Sequence, residues 1–427
     1  MAIRDNKRIE RVKNALQKEN LDAIICTLPS NVLMLTGYFP VVGTSVAIFT
    51  RDGQIRLIVP TDEKNLAENG WAEKVETFSP GSLEKITNAG EAVQKPLQTA
   101  IKDFGLKKKR VGYEYGSYFQ PASYASMRFY GTDIADLLEA AEVSLVCADE
   151  ILARLRAVKT PVEIERIKKA CRIAERAFEN GKKHLQVGLS EQETAAFFEI
   201  QLGILEESDK TIIRADGYAF CVSGENSVKA AAAYQRSRRT KLKENEFVLV
   251  HCNSYADGFW TDITRTFYLG EPSAEHLEMY EVVFAARKAA LAAIRPHVKA
   301  SDVDKAAREV LTEKGFGKYF THGTGHEVGF AAINHDAIPR IHPVSADVLE
   351  TGMTFNVEPA IYIENIGGLR HCEMVAVAKN GYEILTPFLS EIEKLIVSVQ
   401  SPRFSVHPPA KRGGHANRSL DTEQKNI

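Results

Sequence analysis

Apolar and polar residues alternate in two different periods along the first 150 positions. Ile9, Val12 and Leu16 recur at spacings of three and four, which predicts an amphipathic helix near the amino terminus. Asp22 to Thr27 (DAIICT) is a nearly continuous apolar run and predicts a buried strand, followed by LPSNVLMLTGY (28–38) as a helical or turn element. SVAIFT, RDG and QIRLIVP (45–60) read as a β-hairpin with a short Gly-containing loop, and 74–78 and 110–114 as two more strands. These elements make a small α/β domain with few candidate catalytic side chains.

From residue 160 the pattern changes. Thr160-Pro161-Val162-Glu163 combines an N-cap, a proline at the first helical position and a glutamate three residues after the cap. Ile164, Ile167, Cys171, Ala174 and Phe178 then mark one apolar helix face. The expected division is 1–155 and 156–397, with LARLRAVKT (152–160) as a charged connection. A second amphipathic helix is predicted over 191–205, and 221–242 reads as a loop. FVLVHCNSYADGFWTDITRT (247–266) predicts a hairpin: β-formers to Cys252, a polar turn from Asn253 to Gly258, then a return through Trp260 and Ile263 to Phe267. An Ala-rich helix over Met279 to Ile294 stops at Pro296, with Ser301 or Asp302 expected to cap the next. After Thr354 the chain reads strand, turn, strand, closing at 381–386. Residues 398–427 are rich in Pro, Gly, Arg and Ser and are expected to be disordered.

Length and charge narrow the classes. At 427 residues the chain exceeds the ~250–300 at which single cores stop growing, so two domains are expected. With 54 basic against 56 acidic residues it has no charge footprint for nucleic acid or anionic lipid. No apolar run approaches the ~20 residues that span a bilayer, and the amino terminus has no apolar signal core. Six cysteines at 26, 147, 171, 221, 252 and 372, with no CxxC pair, fit buried thiols in a reducing cytoplasm.

The candidate chemistry lies in scattered motifs. His251 and Asp262 sit on opposite arms of the hairpin. Further on come His322 and His326 in THGTGHEVGF, His335 in NHD, Glu358 in FNVEP, and Arg370 to Glu373 in GGLRHCEMV. His, Asp and Glu converging from strands suit Zn, Mn, Co or Fe(II). Such an ion lowers the pKa of bound water and polarises a carbonyl, a route to amide or other C–N hydrolysis. His322 and His335 can then serve as proton donors or oxyanion partners. Each residue also has a plainer role: His251 as a core histidine, Asp262 as a partner of Arg265, Glu358 as part of a turn or ion pair.

NVLMLTGY, LRAVKTPVEIERIKKA, ADGFWTDITRTF, HGTGHEVG, GMTFNVEPAIY and GGLRHCEMVAVAKNGYEILT together resemble the pita-bread hydrolases: aminopeptidase P, prolidase, methionine aminopeptidase and creatinase. The resemblance spans nearly the whole chain. It implies an amino-terminal creatinase-like α/β domain, a carboxy-terminal α+β pita-bread catalytic domain, and a homodimer acting on a peptide or small molecule. The family's peptidases hold two metal ions with two aspartates, one histidine and two glutamates. Asp262, His326 and Glu358 match three of these. His251 stands at the first aspartate position, and Cys372 at the last glutamate position with Glu373 one place along. Ala231 stands where a substrate-binding histidine is expected, whereas His322, His335 and Arg370 match positions that line the active site. The resemblance thus implies one or two divalent ions, Mn, Zn, Co or Fe, on Asp262, His326 and Glu358, with His251 and Cys372 or Glu373 assisting. Arg-His-Cys-Glu is closer to the Arg-His-Ser-Asp of creatinase-like and ectoine-hydrolase-like members. Two alternatives therefore stand beside a metal-dependent hydrolase: metal-independent hydrolysis of a small metabolite, and a non-catalytic binding module.

Overall fold

The computed structural model describes residues 4–41, 45–79, 81–85, 87, 89–115, 134–205, 210–231, 237–334 and 337–399. His335 and all but two residues of the expected disordered tail lie outside them. The amino-terminal part comprises α1 (Asn6–Lys18), β1 (Ala23–Cys26), α2 (Pro29–Thr36), β2 (Val46–Thr50), β3 (Ile55–Pro60), β4 (Lys74–Phe78), α3 (Ala89–Asp103), β5 (Arg110–Tyr113), α4 (Ile134–Glu139), β6 (Ser144–Cys147) and α5 (Asp149–Ala157). Its strands form one mixed sheet in the order β4-β3-β2-β1-β5-β6. The segment expected as a charged connection is largely helix α5, because Leu152, Leu155 and Ala157 bury one face. Only Val158 to Thr160 remain between it and α6 (Pro161–Lys182).

The capping box at α6 forms as the sequence requires: the Thr160 side chain accepts from Glu163 N, and Thr160 N donates to Glu163 at 2.8 Å. The same carboxylate takes a 2.5 Å bond from buried Arg8 of α1, so the cap also ties the two parts together.

After α7 (Glu191–Leu202) come β7 (Ala215–Ser223), β8 (Glu246–Ala256), β9 (Phe259–Trp260) and β10 (Ile263–Leu269). They pair antiparallel, β7 with β8 and β8 with both β9 and β10. The hairpin turn is shorter than the polar run suggested. β8 continues through Ala256, and only Asp257 and Gly258, both with positive φ, turn the chain. Asn253 and Ser254 stay in the strand because Asn253 Nδ2 donates to Thr261 O at 3.1 Å and Ser254 Oγ to Ala170 O at 2.9 Å.

Helix α8 (Ala274–Ala293) starts earlier than its apolar stripe, since Ser273 accepts from His276 N as its cap. Helix α9 (Ala300–Glu313) has Lys299 at its N-cap, not Ser301 or Asp302. Ala300 N donates to Asp347 O, and Lys299 bridges to Val348, so a neighbouring segment takes the place of a side-chain cap. The chain ends through β11 (Thr354–Val357), β12 (Ala360–Ile363), β13 (Gly367–Arg370), β14 (Glu373–Ala378) and β15 (Gly381–Ile384), with β16 (Ile396–Val397) added to β10. No helix among the described residues is long and apolar enough to cross a membrane.

Candidate metal centre

Strand ends and breaks aim the candidate ligands inward. Asp262 lies in the gap between β9 and β10, Glu358 just after β11, and Cys372 between β13 and β14. One ligand atom from each falls within 4.8 Å of the others. His326 comes from the loop after α9, which runs along β11: Asn356 N donates to His326 O, Glu358 N to Thr324 O, and His326 N to Asn356 Oδ1. Gly325 is required for this approach, as a Cβ there would sit 1.8 Å from the Asn356 carbonyl oxygen. The glycines of HGTGH hold backbone against backbone.

His326 Nδ1–H donates to Glu327 O at 3.0 Å, so Nε2 faces the site, 3.2 Å from Asn356 Nδ2, 3.4 Å from Asp262 Oδ2 and 3.9 Å from Glu358 Oε1. Burial alone would lower this imidazole's pKa, but the bond and charge of Asp262, with Glu358, raise it to about 9. Burial alone would raise Asp262, yet the facing His251, His326 and Arg370 hold it down to about 2. Asp262 Oδ1 is buried and has no hydrogen-bond partner among the described residues. An orphaned buried carboxylate oxygen beside a second carboxylate, an imidazole and a thiol is a set that fits one divalent cation. The pocket holds positive charge in either case, as a proton on His326 or as a metal ion.

His251 reaches the site but is differently engaged. Its Nε2–H donates to Asn253 Oδ1 at 3.0 Å, an amide orientation fixed by the Asn253 bond to Thr261 O. Its Nδ1 accepts from Thr264 Oγ1 at 2.9 Å and meets Arg370 Nη2 at 3.3 Å. The ring stacks on Phe220 at 4.6 Å, and burial pushes its pKa down to about 4, leaving it neutral. Arg370 also donates to Thr264 Oγ1 (3.1 Å) and Ala230 O (3.3 Å), with Nε 3.8 Å from Glu358.

Cys372 points into the site, its Sγ–H donating to Asp262 O at 3.2 Å; burial and the nearby carboxylates push the thiol pKa well up. The structure does not bring Glu373 there. As the first residue of β14 it turns to the opposite side, where its carboxylate meets Arg287 at 3.0 Å, Ser390 at 2.7 Å, Thr386 at 2.8 Å and His371 at 3.2 Å. His322 is part-buried at the cavity, with Nδ1–H donating to Gly323 O (2.8 Å) and Nε2 accepting from Tyr362 OH (3.0 Å); burial lowers its pKa. Thr264 and Tyr362 were not singled out from the sequence. Only strand register places Thr264 opposite His251, and TDITRT gave no sign of it.

His251, Asp262, His322, His326, Glu358 and Arg370 line a cavity of about 550 Å³, with Phe220, Ile333 and Val344 as apolar neighbours. Its size lies in the small-ligand range of roughly 300–1,000 Å³.

Residues 165–379 match metallopeptidase family M24, and residues 8–158 match the creatinase/prolidase N-terminal domain. An uncharacterized peptidase of Staphylococcus epidermidis is 28% identical over 385 residues, covering 89% of this chain and 99% of the relative. The Xaa-Pro dipeptidase of Pyrococcus horikoshii is 27% identical over 384 residues, covering 89% and 97%. The structure of the Xaa-Pro dipeptidase from Bacillus anthracis matches with a TM-score of 0.72 at 25% identity, over 92% of this chain and 99% of that one. With the family's pattern matched over half its length and a fold shared over 92% of it, this chain belongs to metallopeptidase family M24, the pita-bread hydrolases that use divalent metal ions.

Proposed function

We propose that this chain is a metal-dependent peptidase that cleaves the amide bond of short Xaa-Pro peptides, the class its relatives are named for. One observation carries the reading: Asp262, His326 and Glu358 converge at the wall of the cavity, with Asp262 Oδ1 lacking a hydrogen-bond partner among the described residues. A divalent ion on these side chains would supply an activated water and a polarised scissile carbonyl. The chain's own residues supply the rest. His322, held by Gly323 O and Tyr362 OH, lines the cavity as an imidazole set beside the substrate. Phe220, Ile333 and Val344 offer apolar surface to a proline ring, whose nitrogen has no N–H to satisfy. All six cysteines are free and five are buried, which fits a reducing compartment such as the cytoplasm, and we take the working form to be a homodimer.

The test is turnover of a panel of Xaa-Pro dipeptides, non-proline dipeptides and small zwitterionic amides by chelated and metal-restored protein. Hydrolysis of Xaa-Pro peptides that disappears on chelation and returns with Mn(II), Co(II) or Zn(II) is expected. Hydrolysis of a small metabolite untouched by chelation would overturn the reading in favour of metal-independent chemistry.

A further inference from the structure

The site retains two carboxylates, Asp262 and Glu358, and a set of groups that do not suit a second ion. His251 has no free lone pair: Nε2 carries the proton given to Asn253, and Nδ1 is taken by the Thr264 hydroxyl. The Thr264 oxygen accepts from Arg370 Nε, so its own proton goes to His251, which fixes the tautomer a second time. A guanidinium stands 3.3 Å from that same nitrogen and 3.8 Å from Glu358. A second dication placed at His251 would need this nitrogen and would meet the Arg370 charge directly.

Charge counting leads the same way. Asp262, Glu358 and a Cys372 thiolate bring three negative charges; one dication and Arg370 bring three positive. Two dications with Arg370 would leave two positive charges uncompensated among residues between 0% and 7% exposed.

We infer that the centre takes one divalent ion per chain, ligated by Asp262, His326, Glu358 and the Cys372 thiolate, and that Arg370, set against His251 Nδ1, supplies the positive charge of the missing second ion. This rests on the metal-dependent reading above. Cys372 is placed for the role: its sulfur lies within 4.8 Å of the Asp262 and Glu358 oxygens. Its backbone N donates to Thr264 O at 3.1 Å, which fixes it beside β10. On binding, the S–H bond is lost, a metal–sulfur bond forms and the proton leaves to solvent. A sulfur ligand in an otherwise N/O set favours Zn(II) or Co(II) over Mn(II).

The experiment measures metal content of the full-length protein after dialysis against Zn(II), Mn(II) or Co(II), together with the absorption spectrum of the Co(II) form. The expected result is one zinc per chain and a thiolate-to-cobalt charge-transfer band in the near ultraviolet. Cys372→Ser should lose that band and weaken zinc by at least about tenfold. The double variant His251→Asp/Cys372→Glu, which restores two carboxylates, should hold two ions. If that variant does not fold, the wild-type stoichiometry and the cobalt spectrum decide. Two ions on the wild type, or one ion with no charge-transfer band, would overturn the inference while leaving the peptidase reading intact. A wild type that holds none of the three metals would overturn both.

Discussion

Replacing Glu373 by glutamine tests whether that residue serves the fold or the metal. The carboxylate is 1% exposed and is held by Arg287, Ser390, Thr386 and His371, with Arg265 at 3.5 Å. Burial alone would raise its pKa, but Arg265, His371 and Arg287 lower it from 4.5 to about 2. At about 1.4 kcal/mol per unit, that depression amounts to about 3 kcal/mol of stabilisation. Breaking a buried ion pair by removing one partner costs ~3–5 kcal/mol, so two routes give the same size of effect. For a domain of ~150–250 residues each kcal/mol moves Tm by about 2–4 °C, so E373Q should melt on the order of 6–12 °C lower. Because the folded-state pKa is depressed, this stabilisation is fully present above pH 4.5 and is lost as pH falls through about 2. Thermal denaturation between those limits should therefore fall more steeply for wild type than for E373Q, and metal content at neutral pH should be unchanged. An E373Q protein with wild-type Tm that has lost its metal would refute the reasoning, since the carboxylate would then be a ligand.

Two further outcomes follow from packing. Gly325→Ala would drive a Cβ to 1.8 Å from the Asn356 carbonyl oxygen, a backbone atom that cannot give way locally. We expect a loss of ~3 kcal/mol or more together with reduced metal retention, read by limited proteolysis and metal analysis; wild-type behaviour in both would refute the packing argument. Lys159, fully buried, is ion-paired with Glu327, whose carbonyl orients His326. Lys159→Met should cost ~3–5 kcal/mol by stranding that carboxylate, and Lys159→Met/Glu327→Met should recover much of it in thermal denaturation; simply additive losses would contradict the pairing.

The amino-acid sequence by itself determined a good deal. Local periodicity placed α1, strands β1 to β5 of the first sheet and the capped start of α6, because those signals need only neighbouring residues. The resemblance to the pita-bread hydrolases brought Asp262, His326 and Glu358 forward as one set, carried by TDITRT, HGTGH and NVEP. Helices α3 and α5 and strand β6 were not read from it, their burial being set by a sheet that the local pattern does not display. What only the tertiary structure decided is the state of the substituted positions. Cys372 and Glu373 are adjacent in sequence, yet one faces the site and the other an arginine cluster, because they enter β14 on opposite sides. His251 looked like a spare ligand in the sequence. Its two nitrogens are spent on Asn253 and Thr264, with Arg370, 119 residues away, against the second. Hydrogen bonds across strand register have no signature in one strand's own residues, so whether an imidazole has a lone pair to give a metal is settled only when the strands come together.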